Sequence, residues 1–223
     1  MDLPFTAEQF LDVFDRYNQA IWPAQLAAYV LGVLAVLLSV YSRPSTDKLV
    51  SGILVVLWLW TGLVYHWQFF AAINPVAAVF GAAFVGQALV WAFAGLVRGS
   101  LRFRIGRDLP SLAGAVFVVY AMVLYPIIGH LLGHGYPRSP SFGVTPCPLT
   151  IFTFGLLLWS RGRVPSYVLA IPLAWSFIGI WAAVSLGIVE DIGLFVAALV
   201  GTTLLSGPAG LPTTFGRWGR GYA

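Results

Sequence analysis

Three histidines and one cysteine are the residues in this 223-residue chain whose types and spacing could do chemistry. His130 and His134 form His-Leu-Leu-Gly-His, an i, i+4 pair that puts two imidazoles on one helix face, within reach of one metal ion. Gly129 and Gly133 in the same stretch make a small-xxx-small pair, which lets a neighbouring helix approach closely. The plainer alternative is two histidines near the end of a span, bonded to water or lipid headgroups. His66 stands in Tyr65-His66-Trp67-Gln68, within a long apolar run. An ionisable residue at such depth faces a bundle interior, either as a ligand or as a satisfied core histidine. Cys147 lies in Thr145-Pro146-Cys147-Pro148. With Pro148 as the first helical residue, Cys147 falls at the helix cap, where free N–H groups and the helix dipole stabilise a thiolate. Otherwise it is a small buried residue in a rigid turn. Three imidazoles and one thiolate suit zinc, copper or mercury over magnesium. His66 with one other histidine would suit haem.

Other candidates are weaker. Glu190 and Asp191 open the last apolar run and read as a solvated charge pair favourable to the helix dipole, with an acid/base role as the lesser alternative. Arg102, Arg104 and Arg107 read as topology signals, with contact to anionic lipid as a secondary role. The single lysine, Lys48, sits at the edge of a span, which excludes a mid-membrane Schiff base to retinal. No phosphate-binding glycine loop or serine-hydrolase elbow is present, and one cysteine excludes an internal disulfide.

The elements that must position these residues are membrane helices. A chain that is 59% hydrophobic and 9% charged, with mean hydropathy +0.87, would expose too much apolar surface as a soluble globule. Ten of the twelve Lys and Arg residues lie in alternate gaps between apolar runs; Arg16 and Arg138 are the two in the other gaps. Six acids show the converse, at Asp2, Glu8, Asp12, Asp15, Glu190 and Asp191. Positive charge near span ends is retained in the cytoplasm. The expected fold is therefore an all-α polytopic bundle of about seven transmembrane helices, with its N-terminus outside and its C-terminus cytoplasmic. The net charge of +4 then reports orientation, not nucleic-acid binding. The start is no signal peptide, since it lacks a basic region followed by an apolar one.

Residues 1–20 hold an interfacial amphipathic helix. Thr6 with Gln9 fits a capping box, and Phe10, Val13, Phe14 and Tyr17 recur at helical spacing opposite Glu8, Asp12 and Asp15. The spans, at about 21–41, 48–71, 76–97, 110–133, 148–160, 166–187 and 191–206, form one transmembrane domain over 21–208. A stop at Gly207-Pro208 is followed by a basic tail, 209–223. Pro126 lies inside the fourth span, Gly135 is its expected C-terminal cap, and Pro172 is expected to kink the sixth. The fifth span is short: thirteen residues give about 20 Å against a hydrocarbon core of about 30 Å. Residues 138–147 before it carry too much Pro and Gly for a helix, so they must be buried in protein or line a wet cavity. No internal repeat supports an inverted-repeat transporter.

The runs Pro4-Phe5-Thr6-Ala7-Glu8-Gln9-Phe10-Leu11, Tyr65-His66-Trp67-Gln68-Phe69-Phe70 with Ile73-Asn74-Pro75, and Phe142-Gly143-Val144-Thr145-Pro146-Cys147-Pro148 resemble a bacterial integral-membrane family of unknown function (DUF6064). The resemblance covers nearly the whole chain and implies a bacterial inner-membrane protein, with no activity or site residues to carry over. In plan alone the chain is also similar to seven-helix zinc hydrolases of the ceramidase and adiponectin-receptor type, whose histidines and acids are distributed differently. The leading expectation is an inner-membrane protein that binds a soft or borderline metal in an outward-facing cavity, for transport or handling. His66, His130, His134 and Cys147 are the proposed ligands. A metal- or haem-dependent enzyme and a structural subunit without metal are the alternatives. Expected partners are the bilayer and a metal ion or small molecule, with a homo-oligomer left open.

Overall fold

In the computed structural model, which describes residues 4–41 and 43–206, each apolar run of the sequence is a helix. The elements are α1 (Ala7–Ala20), α2 (Ala24–Leu38), α3 (Pro44–Ala72), α4 (Ala77–Val97), α5 (Leu109–Leu131), α6 (Pro146–Leu158), α7 (Ser166–Leu186) and α8 (Val189–Ser206). Five of them, α3, α4, α5, α7 and α8, are long and apolar enough to cross a membrane; α1 and α2 together would make a sixth, bent by 87° at their junction. Among the described residues there is no strand, only an isolated antiparallel bridge between Phe103 and Ser160. The Gly207-Pro208 stop and the basic tail, with Arg217 and Arg220, lie outside the described residues, as do Asp2 and Ser42.

The packing is organised around α6. Every residue from Pro146 to Leu158 is buried, as expected of a helix apolar on all sides. Helices α3, α5, α7 and α8 surround it. Its closest neighbour is α5, and two glycines set that approach. A Cβ on Gly114 would stand 2.7 Å from the Gly155 carbonyl oxygen, and one on Gly155 would stand 2.9 Å from that of Gly114. The two backbones are therefore in direct contact, the use small residues serve between membrane helices. On the outside of the bundle the opposite holds: Val30, Leu89, Leu112 and Val184 are more than half exposed.

A short central helix needs a lead-in, and α1 satisfies its backbone. The capping box is formed, with the Gln9 N–H donating to the Thr6 hydroxyl and the Thr6 N–H to the Gln9 side chain. The helix folds over one end of the bundle and buries Val13, Phe14, Tyr17 and Asn18. Asn18 Nδ2 donates to the Pro137 and Ser139 carbonyls at 2.7 and 2.8 Å, and the Tyr17 hydroxyl donates to the Val144 carbonyl at 2.6 Å. Ser141 in turn donates to Asn18 Oδ1 at 2.9 Å. Irregular backbone that is buried must find such partners. The lead-in is thus buried in protein by side chains of α1, which is docked to the bundle through its apolar face.

Two details differ from the sequence expectation. Helix α5 ends at Leu131, and the left-handed residue beyond it is Gly133, at φ +92°, not Gly135. Helix α6 starts at Pro146 with Thr145 as its cap, so Cys147 lies inside the first turn. Pro172 lies inside α7, as expected, and the Ser176 hydroxyl donates to its carbonyl at 2.8 Å. In α5, π-helical turns over Tyr120–Leu124 lie just before Pro126, which has no N–H to donate. A longer π-helical stretch, Thr61–Phe69, carries His66.

Candidate functional site

The α1 end of the bundle holds a cavity of about 70 Å³ that is open on one side. Phe5, Phe10 and Phe14 form its roof, and Phe70, Phe80 and Trp175 stand on α3, α4 and α7. The rings hold one another in place. Phe10 meets Phe14 edge-on at 4.8 Å, Phe5 meets Phe70 edge-on at 5.5 Å, and Phe80 meets Trp175 edge-on at 5.3 Å. Such geometries set the positive ring edge against the negative face.

Polar side chains in this largely aromatic wall include Tyr65 and Asn74, with Cys147 from α6 and Asp191 from α8. Cys147 and Asp191 belong to one network. The Tyr125 hydroxyl of α5 donates to Asp191 Oδ1 at 2.5 Å, and the Cys147 thiol lies beside the same carboxylate. Three helices therefore meet at one buried acid, which is 4% exposed. The Trp175 indole N–H lies beside the Cys147 sulfur but forms no regular hydrogen bond. Next to Asp191, Glu190 is 1% exposed and places Oε1 3.3 Å from His134 Nε2. His134 Nδ1 is 3.3 Å from the Gly129 carbonyl oxygen. Neither Glu190 carboxylate oxygen has a hydrogen-bond partner. Tyr120 closes the network by donating to the Glu190 backbone carbonyl at 2.8 Å.

The four sequence-predicted ligands occupy different surroundings. His130 is in the last turn of α5 and exposed. His134 is buried, but the left-handed Gly133 takes it off the helix and folds it back towards Gly129. The i, i+4 helix-face geometry is therefore not formed, because the helix ends at Leu131, three residues before His134. His66 is fully buried among Tyr65, Phe70, Phe80, Phe84 and Trp175, with the Phe84 ring centroid at 4.8 Å, and neither ring nitrogen has a hydrogen-bond partner. Cys147 joins Asp191. Among the described residues no three His, Cys, Asp or Glu side chains converge as a metal-holding group.

The residues that sequence reasoning undervalued are Glu190 and Asp191. The expected solvated pair is instead buried, because the first turn of α8 is covered by α5, α6 and α7. A signal was present: a chain with only eight acids spends two of them side by side where an apolar run begins. Tyr125 and Trp175 gave no such signal, since aromatic residues are common near span ends.

Comparison with known proteins adds a family and no activity. No curated protein and no solved structure is detectably similar to the chain. Residues 7–210 match a family described as a family of unknown function (DUF6064), and the chain belongs to that family.

Proposed function

We propose that the chain is a multi-pass protein of the bacterial inner membrane that binds a small hydrophobic molecule in the α1-capped cavity, on the outer side. The observation that carries this reading is the cavity: an aromatic-lined space of about 70 Å³ with Tyr65, Cys147 and Asp191 as the ionisable groups in its wall. A largely apolar concavity with a few convergent polar groups is the usual form of a small-molecule site. The unpartnered Trp175 N–H at the same wall is a donor that a ligand would satisfy.

Orientation and span count rest on charge and length. The arginine-rich segment Arg98–Arg107 lies at the cytoplasmic ends of α4 and α5, and His134, Glu190 and the cavity lie at the outer ends. Helices α2 and α6, at 15 and 13 residues, complete seven spans with the five longer ones. The exposed Val and Leu side chains of the outer bundle surface face lipid in this arrangement.

Bromobenzene, an apolar fluorescence quencher, tests the cavity in detergent-purified protein. Saturable quenching of tryptophan emission is expected, and it should be lost in the Trp175→Phe/Trp181→Phe double variant. Quenching that never saturates, or that survives in the variant, would overturn the reading.

A soft or borderline metal is a second reading, favoured by the Cys147 thiol beside the Asp191 carboxylate, which offers one sulfur and one oxygen donor. In that reading the protein handles or transports zinc or copper through Cys147, with His66, His130 and His134 as further candidate ligands. Elemental analysis of purified protein should then give one metal per chain, lost in Cys147→Ser. Metal-free wild-type protein that still shows saturable quenching leaves the small-molecule reading alone.

A further inference from the structure

We propose that the ligand of the cavity is an organic cation, a quaternary or aromatic ammonium, held by ring faces and by the Asp191 carboxylate. This rests on the reading of the cavity as a ligand site and narrows it to one chemical class.

An apolar enclosure alone would accept any neutral hydrophobe, so charge decides. Asp191 is in the wall, and among the described residues no Lys, Arg or His lines the cavity. An anionic ligand would be placed against a carboxylate with little water to separate them, which is unfavourable at short range. The aromatic residues work in the same direction. Phe10, Phe14, Phe70, Phe80 and Trp175 come from four helices, α1, α3, α4 and α7, and so line several sides of the space. Ring faces carry negative quadrupole potential, and a desolvated cation over such a face gains about 2 kcal/mol. Sharing one cation among several rings is how quaternary ammonium groups are recognised when their hydration shell is stripped.

Asp191 is also held ready for this role. The Tyr125 hydroxyl bonds its carboxylate from α5, which fixes the side chain. An ionised carboxylate accepts about four hydrogen bonds, so this one leaves acceptor capacity for a positive group. Tyr125 lies outside the set of cavity-lining residues, so its bond positions the acid from behind the wall.

Competition against bromobenzene quenching tests the class. Benzyltrimethylammonium and its neutral isostere neopentylbenzene have the same shape and differ in charge. The cation is expected to displace bromobenzene at a concentration about tenfold lower than the isostere, the equivalent of about 1.4 kcal/mol. In Asp191→Asn, which keeps an acceptor for Tyr125, the two should become equal while bromobenzene still binds. Asp15→Asn removes the same charge from half-buried Asp15 of α1, outside the cavity wall, and should preserve the tenfold preference. Equal displacement by both compounds in wild-type protein would overturn the cation class and leave the cavity reading standing. So would a preference that persists in Asp191→Asn. Failure of bromobenzene itself to bind wild-type protein would remove the cavity reading first.

Discussion

The two ends of the bundle close their loops by different means. At the α1 end, side chains do the closing: Asn18 and Tyr17 bond the carbonyls of the 137–144 segment, and Asp191, Glu190, His134 and Cys147 are buried together. At the opposite end, backbone does most of it. The Arg104 N–H donates to the Trp159 carbonyl at 2.8 Å, the Arg161 N–H to that of Arg102 at 2.7 Å, and the Ile105 N–H to that of Ser39 at 3.0 Å. One buried acid, Asp47, accepts the Phe103 N–H at 2.8 Å, and the ion pair between Arg161 and Asp108 is exposed. Backbone closure depends little on residue type, whereas a buried polar network depends on each member. The α1 end spends stability on groups that are costly to bury, which is the usual signature of a site.

That contrast can be broken by substitution, and the largest effect is expected at His134. His134→Ala leaves Glu190 buried beside an empty position, and removing one partner of a buried pair costs about 3 kcal/mol. His130→Ala, four residues away but exposed, should cost less than about 0.5 kcal/mol. Unfolding in mixed micelles of dodecyl maltoside and sodium dodecyl sulfate measures both. Equal losses for the two histidines would mean that the His134–Glu190 contact adds nothing.

A somewhat smaller loss is expected for Asn18→Ala, which leaves the Pro137 and Ser139 carbonyls without donors. Each buried group left unsatisfied costs about 1 kcal/mol or more, so about 2 kcal/mol is expected in the same assay. Proteolysis between α5 and α6 should rise with it. An Asn18→Ala protein as stable as wild type would show that the lead-in needs no help from α1.

The smallest effect belongs to the opposite end and depends on pH. The Ser111 side chain, its backbone N–H and the Arg161 guanidinium hold the Asp108 carboxyl below the usual carboxylate range. A depressed folded value stabilises above the unfolded value and is lost as pH falls through the folded one. The wild-type protein should therefore lose a small increment of stability below about pH 4, and Asp108→Asn should flatten that slope. Arg161→Ala should change stability at pH 7 by less than about 0.5 kcal/mol, as expected of an exposed pair. A wild-type slope of the opposite sign in that acid range would contradict the assignment.

The positions of the helices were legible from apolar run lengths, because no run long enough to cross a membrane can avoid helix formation without stranding its backbone. The capping box of Thr6 and Gln9 was legible for the same local reason. Cys147 at the start of a short buried helix could also be read, to within a residue, from its flanking prolines. What the sequence hid was lateral: which face of α8 is covered, and that Tyr125, Cys147 and Asp191 meet. Those contacts join residues 44 and 66 positions apart, and no periodicity reports them. His134 misled for a local reason, since the left-handed turn at Gly133 falls inside a motif that reads as continuous helix.

The most direct test of a ligand cavity at the outer face uses Cys147, the single cysteine of the chain, without any substitution. In intact cells, a membrane-impermeant trimethylammonium-ethyl methanethiosulfonate should modify Cys147 slowly from outside, and bromobenzene should slow it further by occupying the same space. Modification only from the cytoplasmic face of inverted vesicles, or a rate that bromobenzene leaves unchanged, would contradict an outward-opening cavity at Cys147.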